Sequence, residues 1–357
     1  MADTGRNEGA YLGGIRVVEI VDETGEYAGR VLAGLGADVV KVEPPQGEST
    51  RRIGPFRGDV PSPEESLHFW HYNLGKRSVV LDLDKPDGQA SFLQLASAAD
   101  VVLDARPREY LADRNLAFER LQAANPRLIY LRISPFGDTG PWADYKGSDL
   151  IHLALGGVMM NCGYDPDPSG RYDTPPIAPQ MWHAYHISGE MSVIALLGAL
   201  AHRLRTGEGQ RLSLSIHEAV SMNTESDVPN WIFLRQRHFR QTCRHSMTTA
   251  SLPALAQTRD GRYLLPYKTY LRATATYSSD ALRGTIAVLA KHGMDEGLGK
   301  LGQLDAEAEA RIGRLVDRVA ASLDFDADLW RDGQDNGLPW APVRRPEENA
   351  RDPHYIQ

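Results

Sequence analysis

Residues 175–218 limit the fold more than any other stretch. The run PPIAPQMWHAYHISGEMSVIALLGALAHRLRTGEGQRLSLSIHE repeats Ile187, Met191 and Ile194 at helical spacing, with Val193, Leu197, Leu200 and Leu204 beside them. The spacing predicts one helix over His183–Arg205. Arg203 and Arg205 fall in its last turn and Gly207 stops it. Leu212, Leu214 and Ile216 then alternate with polar residues, the pattern of a strand. The apolar run Val193–Ala201 is too short to cross a bilayer, so the helix belongs in a core. Groups at its N-terminus are held rigidly and face the positive end of the helix dipole.

The rest of the chain supplies a sheet for that helix to cover. IRVVEIV (15–21), a helix over Gly25–Leu35 closed by Gly36, and ADVVKVEPP (37–45) read as strand, helix, strand. Such a right-handed unit feeds a parallel sheet. The first turn, DETGEYAG, lacks GxGxxG, so a standard dinucleotide site is not indicated. Residues 78–105 repeat strand, helix, strand, and 106–134 add a helix and a strand. This alternation predicts an α/β fold with a mostly parallel sheet. SPFGDTGPWADYKG (134–147) is a turn-rich loop after a strand, where open α/β sheets bind ligands. SDLIHLALGGVM follows as a short helix, with Asp149 expected to cap its start. Asp165, Asp167 and Asp173 lie in a polar loop expected to be solvated.

The character changes near Asn230. Residues 235–244 are basic and polar, YLLPYKTYL reads as a strand pair, and 280–324 are helical and charged. The expected division is a large domain over 1–229, a smaller α+β domain over 230–325, and a segment over 326–357 that returns toward the large domain. Length suffices for two domains: the chain has 357 residues. A net charge of −8 gives no basic footprint for nucleic acid. Two cysteines, Cys162 and Cys243, do not make a disulfide framework. The polar N-terminus MADTGRNEGA is neither a signal nor a transit peptide, and a cytoplasmic protein is expected. No His/Cys/Asp cluster has zinc spacing, so no metal is expected.

Five segments together resemble a known family, the class III CoA-transferases (CaiB/BaiF). They are LGADVVKVEPPQGESTR (35–51), NLGKRSVVLDLDKPDG (73–88), ISPFGDTGPWADYKGSDL (133–150), TGEGQRLSLSIHEA (206–219) and GLPWAPVRRPEENARDPHY (337–355). The resemblance implies a Rossmann-like large domain, a small domain, and an interlocked dimer. It implies coenzyme A as a substrate, lying across the N-terminal domain. By motif match its site would take Thr24 and Gly25 in the first turn, Lys76 and Arg77, Arg114, and the Phe136–Gly137 loop. Helix N-termini and cations suit its phosphates.

The chain departs from the family where the chemistry sits. Family transferases use an aspartate four residues before a glycine at the start of the long helix. Its carboxylate attacks the acyl-CoA thioester. Counting back from TGEGQ, the glycine is Gly189 and the aspartate position is Tyr185. A tyrosine cannot form an acyl anhydride, and at its ordinary pKa of about 10 it is protonated. The histidine of the family's racemases is replaced by Ser148. The glycine-rich loop of the second domain has no counterpart in TRDGRYLLPYKTYL, and Glu26 stands where a proline is usual. Family members also continue beyond the segment that ends here at Gln357, which leaves closure of the large domain open.

Three readings follow. The chain is the subunit lacking the aspartate in a heteromeric transferase, paired with an aspartate-bearing paralogue as in benzylsuccinate CoA-transferase. Or it is a homodimeric enzyme with relocated groups, for which His183, His186 and Glu190 are candidates beside Tyr185. Or it binds CoA without turnover. Trp182, Tyr185 and Trp231 can line an acyl pocket or simply pack the core.

Overall fold

A computed structural model describes residues 9–180, 182–224, 226–266, 268, 279–298 and 305–356. The chain forms two compact units, one of residues 1–159 and 178–229, the other of 160–177 and 230–357.

The first unit is built on six strands: β1 (Arg16–Ile20), β2 (Asp38–Glu43), β3 (Arg77–Val80), β4 (Val101–Asp104), β5 (Ile129–Ser134) and β6 (Gln210–Ser215). Their order is β3-β2-β1-β4-β5-β6 and every pairing is parallel. This is the doubly wound order, and it reverses between β1 and β4. The strands are apolar because both faces are covered. Alternate residues go to opposite faces. Val17, Val39, Val101 and Leu131 pack with α1 (Glu26–Gly34) and α6 (His183–Thr206). Val18, Val42, Val102 and Tyr130 pack with α3 (Pro86–Ser97) and α4 (Phe118–Ala124). Three shorter helices complete the unit: α2 (Leu67–Tyr72), α5 (Asp149–Leu155) and α7 (Ile216–Ser221).

Helix α6 ends at Thr206, one residue past the expected Arg205, and is stopped by Gly207, whose φ is 80° and whose N–H bonds the Arg203 carbonyl. By length and composition α6 is apolar enough to span a bilayer, yet Ala184, Tyr185, Val193, Leu196, Ala199 and Leu200 are core residues of this unit.

A layer of buried charge lies under the carboxyl ends of β1 and β2. Lys41 Nζ is 2.9 Å from Glu26 Oε1, and Lys76 Nζ is 2.8 Å from Glu19 Oε1. Glu43, 1% exposed, takes Arg51 Nε at 2.6 Å and Nη2 at 2.8 Å, with Ser78 Oγ at 2.5 Å. Burial alone would raise the Glu43 pKa, but the hydrogen bonds from Arg51, Ser78 and the Glu48 N–H outweigh it and hold it down to about 2. A depressed carboxyl stabilises the fold above its unfolded pKa, and that contribution is lost as pH falls through the folded value. Glu43→Gln is therefore expected to lower the urea midpoint at neutral pH. The gap to wild type should narrow toward about pH 3, where the wild-type contribution is itself being lost. An equal gap at both pH values would refute this.

The second unit has its own core of Val288, Leu289, Ile312, Leu315, Val316, Val319 and Trp340. It carries a hairpin of β7 (Phe239–Gln241) and β8 (Arg244–Met247), which the basic composition of 235–244 concealed. A small antiparallel sheet joins β9 (Ala256–Gln257), β10 (Tyr263–Leu265) and β11 (Ala341–Pro342). Of the strand pair expected in YLLPYKTYL, the first strand is β10; Tyr267, Thr269 and Tyr270 lie outside the described residues. Helices Ser279–Lys291 and Ala306–Ser322 match the charged helical stretch.

Two of the expected boundaries need correction. Residues 160–177 cluster with the second unit, because the Tyr172 hydroxyl donates to the Arg240 carbonyl at 3.2 Å and Asp165 pairs with Arg244. Asp165 pairs with Arg244 and is still 45% exposed, as expected of a residue in a solvated loop. Residues 326–357 also stay with the second unit, since β11 pairs with β10 and Glu348 holds Arg262 at 2.9 Å.

Candidate active site

The switch point between β1 and β4 opens onto the loops that leave the carboxyl ends of β1, β4 and β5. The β1 loop is tight. Asp22 Oδ1 accepts the Thr24 N–H at 3.0 Å and the Thr24 hydroxyl at 2.6 Å. A Cβ on Gly25 would lie 2.9 Å from Val21 Cβ and 3.2 Å from Ala105 Cβ, so only glycine fits between the two loops. The loop is anchored from below, where Lys41 Nζ donates to the Val21 carbonyl at 2.9 Å.

The expected cations fall in different places. The three N–H donors of Lys76 meet Glu19 Oε1 at 2.8 Å, the Glu26 carbonyl at 2.8 Å and Asn73 Oδ1 at 3.0 Å, and its side chain is 1% exposed. Arg77 is exposed and forks onto Asp38 at the amino ends of β2 and β3, the edge opposite the switch point. Arg114 pairs with Asp84 at 2.6 Å and lies 3.8 Å over the Tyr110 ring. Phe136 follows β5; its buried ring is ringed by Trp142, Tyr145, His152 and His217 at 5.1–6.2 Å. Gly137 takes φ 88°, which a side chain would resist. Burial, and then the neighbouring His217, pushes His152 down to about 4, so it is neutral there.

Arg106 went unnoticed in the sequence. It is the second residue past β4, pairs with Glu48, and its Nε is buried with no partner among the described residues. Its signal was position alone, just beyond a strand end.

The start of α6 is the chemically distinctive part. Trp182 caps the helix with φ 71°, a left-handed conformation rare for a bulky residue. Its ring stacks on Tyr185 at 5.4 Å between centroids. Asp149 Oδ1 accepts the Ala184 N–H at 2.8 Å. Asp149 is therefore not the cap of its own helix; Ser148 caps α5, accepting the Ile151 N–H, while Asp149 serves α6.

Tyr185 is 4% exposed and lines a cavity of about 290 Å³. Pro179 and Trp182 share its wall with Ser148, Asp149 and Leu150 from α5, and Glu23 from the β1 loop. Burial, and then the charges of Glu23, Asp22 and Asp149, drives the Tyr185 phenol above its ordinary pKa, so it stays protonated. Burial, then Asp22, raises the Glu23 carboxyl; the more distant Glu26 and Glu48 add to the rise, against its own backbone N–H.

The three candidates for relocated chemistry are absent from this wall. His183 and Glu190 are exposed. His186 Nε2 hydrogen-bonds the Tyr72 hydroxyl at 2.7 Å, and its ring lies 4.4 Å from that of Tyr27. Trp231 belongs to the second unit. Among the described residues no group of three or more His, Cys, Asp or Glu is placed to hold a metal.

Comparison with known proteins agrees with this architecture. Residues 12–357 match the model of CoA-transferase family III. The chain is 37% identical to the succinyl-CoA:(R)-benzylsuccinate CoA-transferase subunit BbsE of Thauera aromatica over 216 residues, covering 60% of this chain and 51% of that protein. It is 40% identical to the succinate–glutarate CoA-transferase of Agrobacterium fabrum over 225 residues, 62% of this chain and 54% of that protein. The matches thus span about half the length of these two relatives. A CaiB/BaiF family protein from Brucella suis superposes with a TM-score of 0.77 at 26% identity, covering 97% of this chain and 87% of that one. The doubly wound sheet, the loops at its switch point and a family match over nearly the whole sequence lead to one conclusion: this chain belongs to CoA-transferase family III.

Proposed function

We propose that the chain serves in moving CoA between an acyl-CoA and a carboxylic acid, with residue 185 supplying no nucleophile. The observation that carries this is Tyr185: a buried, protonated phenol on the wall of the cavity, at the position where family transferases use a carboxylate. A phenol there cannot become an acid anhydride.

CoA is assigned to the loops beyond β1, β4 and β5. Thr24 and Gly25 provide the turn, Arg106 and Arg114 the cations, and the Phe136–Gly137 loop the far wall. Lys76 holds the β1 turn from below, and Arg77 lies outside the assignment. A guanidinium beside a helix N-terminus suits a phosphate.

The missing carboxylate has two sources. In the first reading a paralogous chain bears the aspartate and this chain is the other subunit of a heteromeric transferase. The similarity to BbsE, itself named as a subunit, supports that reading. In the second, turnover stays in this chain through a carboxylate other than residue 185. Glu23, on the same cavity wall as Tyr185, favours it.

CoA exchange between an acyl-CoA and a free acid, assayed with the chain alone and with an aspartate-bearing paralogue, tests both. Exchange is expected in at least one sample, and Tyr185→Phe should change it by no more than about twofold, because the phenol takes no part in bond making. A large loss on Tyr185→Phe, with CoA still bound, would overturn the silent role of residue 185.

A further inference from the structure

Within the second reading, we infer that Glu23 is the carboxylate that receives the acyl group, in the place vacated at residue 185. The inference rests on the proposal that the chain carries out CoA transfer.

A nucleophilic carboxylate must face the cavity, be free of a fixed cation, and have oxygens not committed to holding a turn or a helix start. Each neighbouring carboxylate fails one of these. Glu19 is bound to Lys76, Glu26 to Lys41, Glu43 to Arg51 and Glu48 to Arg106. Asp22 accepts both donors of Thr24. Asp149 reaches the cavity, but its Oδ1 holds the start of α6 through the Ala184 N–H. Glu23 meets all three conditions. It lies in the turn after β1 at the switch point and forms part of the same cavity wall as Tyr185. Among the described residues no Lys, Arg or His pairs with it. The aromatic faces of Trp182 and Tyr185 give the cavity an apolar surface for an acyl chain. Glu23 is half-buried, so its carboxylate is within reach of a substrate in the cavity and is available for covalent catalysis.

The chemistry balances without any outside oxidant or reductant. A Glu23 carboxylate oxygen attacks the thioester carbonyl, the C–S bond breaks, and CoA leaves as thiolate, giving a mixed anhydride on Glu23. The thiolate attacks the Glu23 carbonyl carbon, the anhydride C–O bond breaks, and the first acid departs as carboxylate. Glu23 now carries CoA as a thioester. The acceptor carboxylate attacks that thioester, releasing thiolate and forming a second anhydride. Attack of the thiolate on the acceptor's acyl carbon yields the new acyl-CoA and restores the Glu23 carboxylate. No proton is gained or lost overall.

Covalent trapping tests this in the full chain. The protein is incubated with acetyl-, succinyl- and benzoyl-CoA in turn and quenched with hydroxylamine, which converts an enzyme thioester or anhydride into a hydroxamate. The peptides carrying Glu23 (Val17–Arg30), Asp149 and Glu190 are then sequenced by mass spectrometry. A hydroxamate is expected on Glu23 with at least one donor. Glu23→Gln should remove it and reduce exchange on the order of a thousandfold or more while CoA still binds by calorimetry, with Glu23→Asp intermediate. The wild-type label does not depend on whether any variant folds. A hydroxamate on Glu190 or Asp149 instead, or exchange undiminished in Glu23→Gln, would overturn the inference. So would exchange and labelling confined to an aspartate-bearing paralogue, which would leave the CoA-transfer reading intact. Absence of label and exchange in every sample would overturn both.

Discussion

Lys41→Met is expected to destabilise the first unit by about 3–5 kcal/mol, the cost of removing one partner from a buried ion pair. Lys41 is 1% exposed, and besides Glu26 its Nζ lies 3.6 Å from Glu19. Burial alone would lower its pKa, but the charges of Glu26, Glu19 and Glu48 outweigh that and raise it. For Glu26 burial works upward, and Lys41, the Thr50 hydroxyl and Lys76 overcome it, so it stays ionised. The layer balances Glu19 and Glu26 against Lys41 and Lys76. Without Lys41 one negative charge remains in a dry place. The double variant Lys41→Met, Glu26→Gln should recover much of the loss, because it removes the orphaned charge. Arg77→Met breaks only an exposed pair with Asp38 and should cost no more than about 1 kcal/mol. Urea titrations of the four proteins decide the matter: equal midpoints for Lys41→Met and Arg77→Met would show that the layer is solvated. The layer also bears on function. Lys41 holds the Val21 carbonyl, where the turn carrying Glu23, Thr24 and Gly25 begins.

Gly209→Ala is expected to be nearly as damaging, at the upper end of the roughly 1–3 kcal/mol typical of overpacking. A Cβ there would lie 2.1 Å from the Leu128 carbonyl oxygen and 2.6 Å from the Arg127 carbonyl carbon. Both are backbone atoms at the entry to β5, and neither can rotate away. Gly198→Ala provides the opposite sign. Nothing lies within 4 Å of a Cβ at that position, which is inside α6. Removing a glycine from a helix interior should stabilise by up to about 1 kcal/mol. Thermal unfolding midpoints measure both, and a neutral Gly209→Ala would mean that strands β5 and β6 can part at their start. The two glycines of TGEGQ thus have mechanical roles: Gly207 ends α6 in a left-handed turn, and Gly209 lets β6 pass close to the backbone before β5.

That motif shows what was legible from sequence and why. Helix α6, its stop, the strand after it and the βαβ units all depend on residues within a few positions of one another, so periodicity and turn chemistry reveal them. The family resemblance was legible for the same reason, being carried by short continuous segments. The substitution at Tyr185 could be found by counting from TGEGQ. The glycine of the first turn was legible too, although its reason, contact with Ala105 some 80 residues on, was not.

The partners of the charged side chains were hidden. The motif match alone put Lys76 in the CoA site; only the folded chain shows Glu19, 57 positions away, paired with it. Asp149 looked like the cap of the helix it begins, and instead holds the start of α6 through the N–H of Ala184, 35 residues later. Glu190 and His183, close to Tyr185 in sequence, are exposed, because the side chains of a helix diverge around its axis. Glu23, 162 positions before Tyr185, shares its cavity. By itself, then, the sequence determined the fold class, the long core helix and the absence of a carboxylate at residue 185. Tertiary structure alone decided which charges are neutralised and which carboxylates face the cavity, because burial and ion pairing depend on atoms that only folding brings within a few ångströms.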